Sequence, residues 1–204
     1  TVCDTAAFET RGSHLTADGA NLNRCFPGRP GGGYAQSLAA KILDEIKGAD
    51  YHIDLHSTSP LCISAPLSTY HRGRSGALND GSHEIAALVQ TGTATASENV
   101  RRHLAGLMNV LRRFGTLKGA TAPVGRPQIY ESMEWIYAKR SGLYSAVAAV
   151  GDKVRRGQMI GFVADCFGTP VEKILSPING RLLSQVDSSA VGRNSYVATV
   201  GVMR

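Results

Sequence analysis

The hydrophobic pattern of this chain changes period at Gly48, and this change restricts the folds that the chain can adopt. Over about residues 34–47 the apolar side chains recur at helical spacing, which predicts an amphipathic helix that ends at Gly48. From there the pattern alternates: Tyr51, Ile53 and Leu55 are apolar between polar neighbours, which is typical of a strand with one apolar face. A helix that leads directly into a strand is the pattern of an α/β unit.

Four further segments carry structural signals. Residues 57–81 contain Pro and Gly without a clear period and are predicted to be a loop. A second helix is predicted with Ser97 as its N-cap and Gly115 as its end, and the apolar side chains of its buried face are Val100, Leu104, Leu107, Met108, Leu111 and Phe114. Residues 116–127 form a Gly, Ala and Pro linker at the expected domain boundary. Short β segments between Gly turns follow it, at 150–163 and 176–183.

Composition excludes several classes of protein. The net charge of +6 comes from dispersed basic pairs and not from a basic block with aromatics, so we expect no nucleic-acid partner and a mild attraction for small anions. No apolar run approaches the roughly 18 residues of a membrane span and no signal peptide is seen, so we expect a cytoplasmic protein without a membrane partner. The 4 cysteines form no C-x-x-C motif, which favours reduced thiols over a disulfide framework.

Two short motifs carry side chains suited to chemistry. Residues 18–28 read D-G-A-N-L-N-R-C-F-P-G. There the guanidinium of Arg24 can hold a carboxylate in two parallel hydrogen bonds and Asn23 can add a third, or Arg24 is simply a solvated surface residue. Residues 49–57 read A-D-Y-H-I-D-L-H-S, with His56 at the end of the polar strand face. Its imidazole can ligate zinc with Asp54 on the other ring nitrogen, or can serve only as a hydrogen-bonded residue at a strand end.

Together these motifs resemble the succinylglutamate desuccinylase/aspartoacylase family of zinc-dependent deacylases. The resemblance implies an α/β fold: a zinc carboxypeptidase-like mixed-sheet catalytic domain over 1–118, then a small all-β barrel-sandwich-like domain over 128–204. It implies that His56 is a metal ligand and that Asn23 and Arg24 bind the substrate carboxylate. The family's other two zinc ligands belong to an H-x-x-E motif that has no counterpart in this sequence. We therefore expect an N-terminal strand and an internal segment to be missing from it.

The resemblance also implies two catalytic residues. Arg11, in A-F-E-T-R, matches a second family arginine that lies beside the metal and polarises the scissile carbonyl, although a surface arginine would fit the same sequence. Glu84, in H-E-I-A-A, matches the glutamate that moves protons between water and the leaving amine. Here Ala86 and Ala87 replace the usual Gly-Gly or Gly-Pro, and a surface glutamate is the alternative.

The function implied is that of a zinc-dependent hydrolase, a metal-dependent amidohydrolase that removes an acyl group from an N-acyl amino acid or a similar linear amide. The expected partner is a small anionic N-acylated substrate, and a homo-oligomer is compatible with the sequence. Two alternatives stay open. One is a zinc carboxypeptidase-type peptidase, and the other is a non-catalytic carboxylate-binding relative without the metal site.

Overall fold

The computed structural model describes six segments of the chain, and these cover residues 4–9, 16–54, 62–65, 96–122, 128–187 and 190–203. The chain divides into two compact units, Thr1–His56 and Ser57–Arg204. This division places the second predicted helix with the β-rich part of the chain. The domain assignment made from the sequence, 1–118 and 128–204, stays a prediction.

The first unit is helical in its described part. Its elements are α1 (Thr5–Glu9), one 3₁₀ turn (Leu22–Arg24) and α2 (Tyr34–Ile46). Helix α2 confirms the first predicted helix, and Gly48 follows it in the left-handed region with φ of 88°. Its fully buried residues are the small Ala35 and Ala39, whereas Leu43 of the predicted apolar face is exposed. Small residues therefore make the close contacts of this helix.

The strand predicted after Gly48 is wrong over the part that the structure describes. Residues 51–54 adopt no regular secondary structure, and Tyr51, His52 and Asp54 are exposed. An alternating pattern decides which side chains would share a face, but a strand forms only where a neighbouring strand pairs with its backbone. The described residues provide no such pairing for 51–54. The mixed sheet expected in this half of the chain stays a prediction.

In its described part the second unit contains helix α3 (Ala96–Arg113) and nine strands. The strands are β1 (Cys62–Ser64), β2 (Tyr130–Tyr137), β3 (Gly142–Ala146), β4 (Lys153–Val154), β5 (Met159–Ala164), β6 (Pro170–Leu175), β7 (Gly180–Val186), β8 (Ala190–Val191) and β9 (Tyr196–Met203). They form a five-stranded sheet, β1-β7-β9-β2 with β4 also on β7, and a four-stranded sheet, β6-β5-β3-β8. All pairings are antiparallel. The predicted β segments are thereby confirmed.

Strand β1 corrects the prediction that residues 57–81 are a loop. It is three residues long and pairs with β7, where Cys62 lies opposite Val186. Such a short strand leaves no periodic signal in the sequence, because its pairing partner lies far along the chain and supplies the stabilising hydrogen bonds.

Both sheets contribute to one hydrophobic core. Ile160 and Val163 of β5 and Leu182 and Val200 of the other sheet are each 0% exposed. Full burial of such side chains stabilises a fold by about 1.5–3 kcal/mol each relative to exposure, so the core holds the two sheets together. This arrangement is compatible with the barrel-sandwich-like domain, whose identification stays a prediction.

Helix α3 confirms the second predicted helix, with a different start. Ser97 lies inside the helix and not at its N-cap. Gly115 follows the end of the helix with φ of 78°, and its N–H donates to the carbonyl of Arg112 at 3.1 Å. No helix in the described segments is both long and apolar enough to cross a membrane.

The buried face of α3 differs from the predicted one. Val100 and Leu104 are 65% and 57% exposed, whereas Asn109 and Val110 are buried. The Asn109 amide donates from Nδ2 to the carbonyl of Ala122 at 3.3 Å and accepts from its N–H at 2.8 Å. Helical periodicity predicts an apolar face, but the residues that pack on the helix decide which face is buried. Here Ala122, which follows the helix, packs at Asn109.

Candidate functional site

Two of the five predicted site residues lie in the described part of the chain. Asn23 and Arg24 form the end of the 3₁₀ turn, and both are exposed. Arg11, His56 and Glu84 lie outside the described residues, so their roles stay predictions.

The 3₁₀ turn is held by Asn21 and by its own backbone. The side-chain oxygen of Asn21 accepts from the N–H of Asn23 at 3.0 Å, as an N-cap does. The N–H of Arg24 donates to the carbonyl of Asn21 at 2.9 Å, and that of Cys25 donates to Leu22 at 2.9 Å. The backbone of the turn is therefore satisfied without the side chains of Asn23 and Arg24, which stay available to a ligand.

Asp18 joins this loop to the start of α2. Gly33 occupies the N-cap position of α2 and has no side chain to cap it, so Asp18 Oδ2 accepts from the N–H of Ala35 at 3.1 Å instead. Its other oxygen accepts from the hydroxyl of Thr16 at 2.5 Å. These two hydrogen bonds hold the pKa of Asp18 below its usual value, and the bond from Thr16 has the larger effect. Asp18 is thus an ionised cap, favoured by the positive end of the helix.

The loop packs directly on α2 at Gly28. A Cβ atom on Gly28 would lie 2.2 Å from the backbone nitrogen of Ala40 and 2.6 Å from the carbonyl oxygen of Gln36. The φ of Gly28 is 82°, a region that L-residues with side chains seldom adopt. The next residue donates its N–H to Gln36 at 3.0 Å. Only glycine fits at this position, and its close approach fixes the distance between the loop and the helix.

Tyr34 connects α2 to the N-terminus of α1 through Asp4. Its hydroxyl donates to Asp4 Oδ1 at 3.2 Å, and the same oxygen accepts from the N–H of Ala7 in α1 at 3.0 Å. Partial desolvation is the main cause that raises the pKa of Tyr34, and the hydrogen bond to Asp4 is the next. The phenol therefore stays protonated at neutral pH and keeps this hydrogen bond.

Arg24 is suited to bind an anion from solution. Among the described residues its guanidinium makes one long hydrogen bond, from Nη1 to the carbonyl of Asn23 at 3.4 Å. A planar guanidinium with free N–H groups matches the two oxygens of a carboxylate. The arrangement presents a cationic receptor on a rigid turn.

The described segments do not by themselves fit a zinc ion. They contain no group of three His, Cys, Asp or Glu side chains that could hold a metal. The predicted ligand His56 lies beyond the last described residue of its segment, Asp54.

Sequence reasoning missed three residues that position the loop: Asp18, Asn21 and Gly28. The Asn21 cap has a local signal in the sequence, because an Asn side chain often accepts a hydrogen bond from the backbone N–H two residues later. Asp18 has none, because its partner Ala35 lies 17 residues away along the chain. The sequence marks Gly28 as a turn residue but does not show that it packs against α2.

Comparison with known proteins establishes the family. Residues 5–105, about half of the chain, match the model of the succinylglutamate desuccinylase/aspartoacylase catalytic domain. The chain belongs to this family. It is 27% identical over 188 residues to the N-alpha-acetyl-L-2,4-diaminobutyric acid deacetylase of Halomonas elongata, with 72% of this chain and 54% of that protein covered. The chain thus spans about half the length of this curated relative.

Solved structures show the fold of the chain. A succinylglutamate desuccinylase/aspartoacylase from Rhodobacter sphaeroides superimposes with a TM-score of 0.81 at 24% identity, covering 96% of this chain and 72% of that one. The product-bound ectoine utilization protein EutE (DoeB) of Ruegeria pomeroyi superimposes with a TM-score of 0.84 at 21% identity, covering 98% and 73%. This family member therefore has the mixed helix and sheet fold of these proteins.

Proposed function

We propose that this family member is a zinc-dependent hydrolase that removes the acyl group from an N-acyl amino acid or a similar amide. The observation that carries the proposal is the exposed Arg24 on a turn that Asn21, Asp18 and Gly28 hold against α2. The name of the Halomonas elongata relative supports it, because N-acetyl-diaminobutyric acid carries a carboxylate beside the amide to be cleaved.

In this proposal Arg24 binds the substrate carboxylate and Asn23 assists it. A charge-assisted hydrogen bond of this kind contributes about 1.5–3 kcal/mol. The carboxylate keeps its charge while the amide reacts, so the interaction is equally strong in the bound substrate and in the transition state. Its loss would then appear mainly in KM and not in kcat.

The remaining roles rest on the family resemblance. Arg11 would stabilise the oxyanion that develops on the scissile carbonyl, and Glu84 would return a proton to the leaving amine. His56 would coordinate zinc through one nitrogen of its imidazole ring. The N–H of the other ring nitrogen would donate to the carboxylate of Asp54. A bound zinc ion supplies an activated water in such enzymes.

Hydrolysis assays test the proposal. N-acetyl-L-2,4-diaminobutyrate, other N-acetyl amino acids and N-blocked dipeptides are offered at equal concentration, and release of free amine is measured. We expect turnover of N-acetyl amino acids that a chelator abolishes and added zinc restores. Preferred cleavage of the dipeptides would favour a carboxypeptidase-type peptidase. Carboxylate binding in calorimetry without any turnover would favour the non-catalytic relative, and either result would refute the proposal.

A further inference from the structure

A second cationic site lies in the β-rich unit, far along the chain from residues 18–28, which we call the Arg24 loop. The turns β2–β3 and β8–β9 border an open hollow of about 400 Å³, which is lined by the exposed residues Lys139, Arg140, Ser141 and Arg193. This volume falls in the range of about 300–1,000 Å³ usual for small-molecule sites. Such sites are mostly apolar, whereas all four residues here are polar and three are cationic. The ligand that matches this lining is an anion.

The backbone of the two turns is fixed before any ligand binds. Glu172 accepts from the N–H of Lys139 at 3.1 and 2.9 Å and from the N–H of Arg140 at 2.9 Å. The second turn is joined to the first through the N–H of Asn194, which donates to the carbonyl of Ala138 at 2.7 Å. Glu172 thus uses its carboxylate on backbone groups, and these bonds fix the backbone from which the Lys139 and Arg140 side chains extend. A fixed backbone reduces the entropy that is lost when the turn binds a ligand.

Ser141 adds a neutral donor to the same hollow. Its oxygen accepts from the N–H of Arg193 at 3.0 Å. A hydroxyl that accepts in this way still has its own hydrogen to donate, and no acceptor for it lies among the described residues. Ser141 and Arg193 are therefore positioned as neighbours that can donate to one ligand.

The number of donors and the charge select the ligand. Two guanidinium groups, one ammonium and one hydroxyl offer more donors than the two oxygens of a carboxylate can accept, whereas a phosphoryl group has three terminal oxygens. Three cations and the nearby Glu172 leave an excess of two positive charges, which matches a dianion. We propose that this hollow binds a phosphoryl group, either as inorganic phosphate or as the phosphate of a small molecule.

Calorimetric titration of the full chain at constant ionic strength tests this site, with inorganic phosphate and adenosine monophosphate as separate probes. We expect binding that the combined Arg140→Gln and Arg193→Gln substitutions weaken by about tenfold or more, because each removes a charged donor. Tighter binding of the nucleotide would identify the phosphate of a larger molecule as the ligand. Tighter binding of inorganic phosphate would identify the free anion.

Two matched variants separate a built site from a general charge effect. Arg156→Gln removes the same charge from an exposed position outside the hollow and should leave binding unchanged. Glu172→Gln removes the opposing charge but keeps an acceptor oxygen for the backbone, and should tighten phosphate binding. Amide NMR shifts on adding phosphate should be confined to residues 138–141 and 192–195. Absence of binding to both probes, or equal weakening by Arg156→Gln, would overturn the proposal.

Discussion

Replacing Gly28 with Ala tests whether the Arg24 loop depends on its contact with α2. The new methyl group would meet backbone atoms of Ala40 and Gln36 at 2.2 and 2.6 Å, and backbone of a helix cannot move aside as a flexible side chain can. The positive φ costs an L-residue about 1–2 kcal/mol. Overpacking adds about 1–3 kcal/mol. We expect a total loss of about 2–5 kcal/mol, a large share of a typical domain stability of about 5–15 kcal/mol.

Gly31 provides the matched control. Its φ is 74°, close to that of Gly28, but a Cβ atom there has nothing within 4 Å. Gly31→Ala therefore carries only the backbone penalty, about 1–2 kcal/mol. The difference between the two variants measures the packing contact alone.

Native-state hydrogen exchange of the α2 amides is the assay, because it reports the opening free energy of this helix separately from the rest of the chain. Trp135, the single tryptophan, lies in the second unit and reports its unfolding in urea, which neither substitution should change. Equal losses for Gly28→Ala and Gly31→Ala would show that the close approach to α2 does not hold the loop.

Three further predictions concern the cap of α2, the core of the second unit and the predicted metal ligand. Because the pKa of Asp18 is lowered in the folded state, its stabilising effect on α2 is present above the unfolded value of 3.8 and is lost as pH falls through the folded one; hydrogen exchange in Asp18→Asn should lack this pH dependence. Ile160→Ala, at a fully buried core position, should cost about 2–5 kcal/mol in urea unfolding. Val147→Ala, at a residue that is 56% exposed, should cost less than about 0.5 kcal/mol. His56→Gln should lower the zinc content measured by mass spectrometry of metals, and an unchanged content would refute its role as a ligand.

The sequence predicts helices better than it predicts what covers them. The ends of α2 and α3 follow from local signals, namely helical spacing and a glycine with positive φ after each helix. The buried residues of α3 do not, because Asn109 is covered through its hydrogen bonds to Ala122, a contact made after the helix ends. Residues 51–54 show the same limit for strands, because their pattern alternates but they have no pairing partner in the part of the chain that the structure describes and form no strand.

The candidate site divides in a similar way. Asn23 and Arg24 could be found from the N-L-N-R motif, since the motif itself contains the binding side chains. The residues that position them could not, because Asp18 caps a helix 17 residues away and Gly28 fits against Ala40 only in the folded chain. A sequence motif can therefore predict the side chains that bind a ligand. It does not predict the tertiary contacts that hold those side chains in place.

The most direct test of the account compares Arg24→Ala with wild type on an N-acetyl amino acid and on its carboxamide. Loss of the charge-assisted contact, worth about 1.5–3 kcal/mol, predicts a rise in KM of about 10- to 150-fold for the acid. The carboxamide, which has no charge to bind, should show little change, and kcat should be nearly constant for both. Arg29→Ala, which removes an exposed arginine from the same loop, should leave both values of KM unchanged. Equal rises for acid and amide would contradict the assignment of Arg24 as the carboxylate-binding residue.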